Sequence, residues 1–155
     1  MEILPDIINY LKYASYDVNH GRRQTRNEVI SSYLEMMLKA YPNLKNEIEQ
    51  NGNYIKKSKV FPSMRGFQFS GLPIELNPIR IYNCSYLAID SYKSFGELLF
   101  LLLCGTGVGY SVQSHHINKL PSVNHPTGKT RYLIQDSIEG WSNALKFLLK
   151  SYFFG

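Results

Sequence analysis

Cys84 and Cys104 are the two side chains of this sequence with the widest chemical reach. A thiol can attack as a nucleophile or ligate a metal. Paired with a second thiol, it can deliver two electrons and close to a disulfide. Neither cysteine belongs to a CxxC pair or to a Cys/His cluster with zinc spacing, so no metal site is expected. His115 and His116 are adjacent, and neighbours on a strand point to opposite faces, which keeps them from converging on one metal. Gly105-Thr106-Gly107-Val108-Gly109 is a glycine-rich loop whose backbone a ligand can approach closely. It is not a Walker loop, since no Gly-Lys-Ser/Thr completes it. It also does not open a helix, as a dinucleotide fingerprint does. By themselves these residues leave two readings open. The loop serves equally as a bare tight turn, and a lone cysteine is commonly an inert core residue.

The elements that must position them follow from periodicity. Ile3, Ile7, Ile8 and Leu11 recur at helical spacing, and a polar break follows from Ser15 to Gly21. Val29, Ile30, Tyr33, Leu34, Met37 and Leu38 mark a longer helix that Tyr41-Pro42 ends. Leu44, Ile48 and Tyr54-Ile55 predict a third helix, with Asn43 as its N-cap. From Lys59 to Pro78, prolines and glycines predict an extended, looping segment with short strands. Arg80 to Ile89 reads as a strand. Ser94 and Glu97 read as a capping box for a helix from Phe95 to Leu103, which Gly105 stops. Val108 to Val112 reads as a second strand, Asn118 to Lys129 as a loop, and Leu133 to Tyr152 as a final helix. The expected fold class is α/β, with an N-terminal helical region over 1–58 and a strand–helix–glycine loop–strand–helix region over 59–155.

Composition narrows the function classes. Twelve tyrosines and eight phenylalanines exclude an aromatic-poor disordered tail. The net charge of +5 comes from interspersed bases and acids, and the one dense run, Lys56-Lys57-Ser58-Lys59, is short. It reads as a solvated loop, so no direct nucleic-acid contact is expected. The N-terminus lacks a signal-peptide pattern and the apolar stretch Leu98 to Cys104 is too short to cross a bilayer. A cytoplasmic protein with reduced cysteines and no membrane partner is expected.

Several segments taken together are more specific than any one of them. In order they are Gly21-Arg22-Arg23-Gln24-Thr25-Arg26-Asn27-Glu28-Val29, Pro62-Ser63-Met64-Arg65-Gly66, Phe69-Ser70-Gly71 and Arg80-Ile81-Tyr82-Asn83-Cys84. The helix Phe95 to Leu103, the glycine loop with Tyr110-Ser111-Val112, and Asp136-Ser137-Ile138-Glu139-Gly140-Trp141 follow. In this order and spacing the chain resembles the N-terminal segment of the monomeric, adenosylcobalamin-dependent (class II) ribonucleotide reductases.

The resemblance implies a fold and a chemistry. The fold would be the first strands of an α/β barrel, incomplete in this chain. The chemistry would be thiyl-radical reduction of a ribonucleoside (tri)phosphate to a deoxyribonucleotide, with adenosylcobalamin generating the radical. Cys84 matches the first cysteine of the reducing pair, Asn83 would position the substrate, and Gly105, Thr106 and Gly107 would line the nucleotide through backbone contacts. Ser63 would lie near the substrate phosphate. Trp141 and its helix resemble the region near the effector site or the dimerisation surface. Cys104 departs from the family pattern, which has a small residue there. A Cys84–Cys104 bridge is discounted, because the two lie at opposite ends of a strand–helix unit. The partner thiol, the thiyl cysteine, the finger loop and the cobalamin-binding region are missing from this sequence, so the chain is expected to be inactive alone. Implied partners are the ribonucleotide, a deoxynucleotide effector, a C-terminal reductase segment or subunit, and a thioredoxin-type reductant. The alternative is an inactive reductase-like nucleotide-binding or assembly subunit.

Overall fold

Apolar residues at helical spacing dictate most of the architecture seen in the computed structural model, which describes residues 3–155. The chain divides into two compact units, Met1–Tyr82 and Asn83–Gly155.

In the first unit, α1 (Ile3–Ile8) runs into a π-helical turn, Asn9–Tyr13. The polar break that follows holds a two-residue antiparallel hairpin, β1 (Tyr16–Asp17) with β2 (Arg22–Arg23), turned by Gly21 at φ +62°. Helix α2 (Arg26–Ala40) starts at a capping box that periodicity alone does not reveal. The Thr25 side chain accepts from the Glu28 amide, and the Glu28 carboxylate accepts from the Thr25 amide. Its buried residues Val29 and Ile30 meet Ala14, Ile55 of α3 (Lys45–Lys56) and Phe67, and these form the unit's core. Asn43 does not cap α3. It lies inside a 3-10 turn, Pro42–Leu44, and Leu44 takes the cap position with no side-chain bond.

The segment expected to be extended and looping is irregular only up to Ser63 and largely helical from Met64. It forms α4 (Met64–Gln68), α5 (Leu72–Leu76) and a 3-10 turn, Pro78–Ile81. The prolines there open helices rather than prevent them. Pro73 and Pro78 occupy first-turn positions, where an amide hydrogen has no helical partner to lose. Arg80 and Ile81 belong to that turn, so the strand expected from Arg80 begins only at Cys84.

The second unit is a strand–helix–strand crossover followed by a long helix. Strand β3 (Cys84–Ala88) pairs in parallel with β4 (Gly107–Ser111), and α6 (Tyr92–Leu103) connects them. The cap of α6 is Ser91, not Ser94. Ser94 is buried in the first turn, its hydroxyl near Ser91 Oγ at 3.2 Å and Asp90 Oδ1 at 3.4 Å, and Glu97 completes no box. His115 and His116 lie on a short helix, α7 (Ser114–Ile117), not on a strand, and their ring centres are 3.9 Å apart. Helix α8 (Ile138–Phe154) begins five residues later than periodicity predicts. Ser137 caps it by accepting from the Gly140 amide at 2.9 Å, and Leu133 is left 84% exposed.

Helices α6 and α8 pack through small residues. The Ser142 hydroxyl, buried, donates to the Gly96 carbonyl at 2.7 Å, and the aliphatic stem of Lys146 lies across Gly96. The architecture is thus mixed helical with two separate two-stranded sheets, and the described residues do not close a barrel. No helix among them is long and apolar enough to cross a membrane.

Candidate functional site

The strand register decides what surrounds Cys84. In β3–β4, Cys84 stands opposite Gly107, Tyr86 opposite Gly109, and Ala88 opposite Ser111. Side chains alternate across a sheet, so these six positions share one face, and Ser85, Leu87, Val108 and Tyr110 share the other. The second face meets the helices: Leu87 lines a cleft with Glu97, Phe100 and Leu101 of α6 and with Ser142 and Lys146 of α8. On the first face Cys84, Tyr86, Gly107 and Gly109 are exposed. The glycines keep that face low. A methyl group at Gly107 or Gly109 would meet nothing closer than a strand carbonyl at 3.5 or 3.9 Å. Room for a ligand's close approach therefore lies directly across from the Cys84 thiol.

The glycine loop is built by the end of α6. The Gly105 amide donates to the Leu102 carbonyl at 2.9 Å and the Thr106 amide to the Leu101 carbonyl at 3.1 Å, with Gly105 at φ +87°. This is a Schellman stop, which needs a left-handed residue at that position. The Gly107 amide then donates to the Asn83 carbonyl at 2.9 Å, which fixes the residue before Cys84 against the loop. Asn83, Cys84, Gly105, Thr106 and Gly107 are thus brought together. Thr106 is only 2% exposed, so its side chain serves the interior. Cys104, 1% exposed, ends α6, and neither cysteine is in a disulfide.

Ser63 belongs to the first unit. Its hydroxyl donates to the Ile81 carbonyl at 3.0 Å and ties the turn before α4 to the 3-10 turn. Among the described residues no three His, Cys, Asp or Glu side chains converge on a metal-sized site.

A separate groove of about 990 Å³ lies between α8 and the segment around residues 126–134. Trp141, half exposed, and the stacked pair Tyr132–Phe147, with ring centres 4.6 Å apart, line it together with Lys129 and Lys150. Sequence reasoning singled out Trp141 but neither Tyr132 nor Phe147, which meet only because the chain before α8 folds back. Tyr86, which shares the Cys84 face, was also missed, although the two-residue alternation from Cys84 carries that signal.

No family model and no curated protein matches the chain. Among solved structures, a B12-dependent (class II) ribonucleotide reductase matches with a TM-score of 0.76 at 19% identity. The match covers 95% of this chain and 29% of that one, so the chain spans less than a third of that enzyme's length. At this identity the likeness is one of fold. Along nearly its whole length, the chain resembles in fold a portion of a B12-dependent ribonucleotide reductase.

Proposed function

We propose that this chain is part of a ribonucleotide reductase that makes deoxyribonucleotides from ribonucleoside (tri)phosphates by thiyl-radical chemistry, with Cys84 as one thiol of the reducing pair. One observation carries most of the reading: Cys84 is an exposed free thiol on the glycine-lined face of β3–β4, turned away from the helices. The fold likeness to a class II reductase supports it.

In the proposed reaction two thiols lose two electrons and two protons and join as a disulfide. The ribose carbon gains hydrogen and its hydroxyl leaves as water. Cys104, buried at the end of α6, is not offered as the second thiol. The thin sheet of the second unit would be the start of a larger barrel, and a C-terminal reductase segment or subunit would supply the rest. Adenosylcobalamin enters through the likeness to a B12-dependent enzyme, and when bound it would supply the radical.

Within this proposal the Asn83 side chain and the backbone of Gly105, Thr106 and Gly107 line the nucleotide. Gly107 is the strongest of these, being exposed and opposite Cys84. Gly105 already has a structural reason for its conformation. Ser63 would contact the substrate phosphate through its hydroxyl oxygen, since its proton is donated to the Ile81 carbonyl. A thioredoxin-type reductant would reopen the disulfide, which fits a reducing, cytoplasmic setting.

The test is alkylation of the full chain by iodoacetamide, read by mass spectrometry. A ribonucleoside triphosphate is expected to slow labelling of Cys84 at least several-fold. No protection at saturating nucleotide would remove the reading.

The aromatic groove favours a second one, an inactive subunit that binds a nucleotide, such as a deoxynucleotide effector, or a partner protein there. That reading expects a change in Trp141 fluorescence on binding, with Cys84 labelling unmoved.

A further inference from the structure

The groove along α8 has a lining that the proposed reaction at Cys84 does not use. All of it belongs to the second unit. Helix α8 supplies Trp141, Leu145, Leu148 and Tyr152, whose spacing puts them on one stripe of the helix. Residues 126–134 form the facing wall. Two contacts hold that wall against the helix. The Asn124 amide donates to the Tyr152 carbonyl at 2.6 Å, and the Tyr132 ring stacks on Phe147 with 26° between the ring planes.

The chemistry of the lining limits what fits. Five aromatic rings line the groove, those of Trp141, Tyr132, Phe147, Tyr152 and Phe154, and each is between 38% and 57% exposed. Exposed apolar surface gathered in one place marks an interaction site. Rings pair best with other rings, stacked with an offset or edge to face, so this lining favours a flat aromatic body over a flexible chain. The groove's volume of about 990 Å³ suits a small molecule. Its charged lining is of one sign. Lys129 and Lys150 line it, and among the described residues no Asp or Glu does. Both lysines are exposed, and neither forms an ion pair among the described residues. The complementary ligand is therefore an anion. A nucleoside triphosphate carries more charge than two lysines neutralise, whereas a single acidic group does not.

We propose that this groove binds a small aromatic acid, a molecule of flat rings carrying one anionic group. Its rings stack against Trp141 and the Tyr132–Phe147 pair, and its anionic group is drawn to the Lys129 and Lys150 ammonium groups. The site goes beyond the nucleotide reading of the same groove and does not depend on Cys84.

The probe is anilinonaphthalenesulfonate, an aromatic monoanion, titrated into the full chain. Trp141 is the sole tryptophan, so quenching of its fluorescence reads this groove. Wild type binds one equivalent, quenches, and shows a thermal midpoint that rises with probe concentration, as happens when a ligand selects the folded state. No binding overturns the proposal. So does an unmoved or falling midpoint, which would mean that the probe reports loosened chain. Phe147→Ala removes half of the stacked pair and weakens binding about ten-fold. The double variant Lys129→Gln/Lys150→Gln weakens the sulfonate about five-fold, the scale of two exposed charge contacts. It leaves phenylnaphthylamine, the same rings without the charge, within about two-fold. Equal weakening of the charged and uncharged probes overturns the proposal, as does full binding by Phe147→Ala. Should the variants fail to fold, displacement from wild type decides. Naphthoate must displace the probe, and dodecanoate and a deoxynucleoside triphosphate at equal concentration must not. Displacement by dodecanoate would mean that any apolar anion suffices. Displacement by the triphosphate would return the groove to the nucleotide reading. Either result overturns the aromatic-acid proposal. Cys84 labelling is read separately, so the reading at that thiol and this one can each fail while the other stands.

Discussion

The two units of this chain spend their apolar residues differently. The first buries Val29, Ile30, Ile55 and Phe67 in one cluster, with Tyr33, Leu34 and Met64 packed around it. The second buries little beyond Ile89, Cys104 and Phe153, and leaves Tyr86 of β3 and Tyr110 of β4 exposed. Its helices meet at Gly96 and Ser142, small residues that bring backbones close but bury little apolar area. The unit with the self-contained core is held by side-chain burial. The unit that carries the exposed thiol is held by backbone pairing and close helix contact, and it keeps a sheet face open.

The largest expected effect tests the first half of that contrast. Ile30 is fully buried in the centre of the cluster. Ile30→Ala should lower stability by about 2–5 kcal/mol, measured by urea denaturation with circular dichroism. Leu148→Ala, on the exposed face of α8, should change it by less than about 0.5 kcal/mol. Equal losses would mean that the exposed face of α8 is as tightly packed as the core, and the comparison would fail.

Two glycines sharpen the second half. Both are helical, where alanine ordinarily gains up to about 1 kcal/mol over glycine. At Gly96 the three atoms nearest a new methyl all belong to the flexible stem of Lys146, the first at 2.3 Å, and rotation of that side chain can move them aside. At Gly140 it meets the Gln135 backbone carbonyl at 2.2 Å, and backbone cannot swing aside. Gly140→Ala should therefore cost about 1–3 kcal/mol by overpacking, while Gly96→Ala should be near neutral. Thermal unfolding of the two variants side by side checks the order. A costly Gly96→Ala with a neutral Gly140→Ala would refute the backbone argument.

Acid tests the start of α2. The Glu28 carboxyl is held well below the usual carboxylate range, first by the Arg22 guanidinium bonded to both its oxygens at 2.8 Å, then by the Thr25 amide. A depressed folded-state pKa means stabilisation that is complete above the ordinary carboxylate range. It is lost only as pH falls below that range towards the folded value. Amide exchange at Thr25 should stay protected at pH 4 in wild type, whereas Glu28→Gln should lose part of that protection at every pH. Loss of protection near pH 4 in wild type would show that the pair is weaker than its geometry implies.

How far the sequence reveals this structure depends on what each feature rests on. Helices α2, α3 and α6 are legible because a repeated apolar stripe survives small errors in its ends. Their caps are less so. Ser91 and Ser94 both suit an N-cap, and only the backbone of Ser91, at φ −149° and ψ 160°, selects it. The stretch before Cys84 misleads because proline forbids a helix interior yet favours its first turn, and composition does not distinguish the two. At the candidate site, the glycine stop after α6 and the proximity of Asn83, Cys84 and Gly107 follow from a strand–helix–strand reading. Which sheet face the helices cover does not follow. Alternation puts Cys84 with Tyr86 on one face, but only the cleft that Leu87 lines with α6 and α8 shows which face the helices cover.

The smallest expected effect on stability concerns the two thiols, and it divides the molecule most finely. Cys84 and Cys104 lie within one unit, one exposed and one 1% exposed. Cys84→Ser should change stability by less than about 0.5 kcal/mol, since water already reaches the side chain. Cys104→Ser puts a hydroxyl into an enclosed position and should cost about 1–3 kcal/mol unless it finds a partner. Native alkylation should label Cys84 alone, with Cys104 reacting only after unfolding. Labelling of both at similar rates would mean that the end of α6 opens readily. The Schellman bonds from Gly105 and Thr106 would then not secure the loop across from Cys84, and the open face would lose the fixed geometry that any chemistry at that thiol requires.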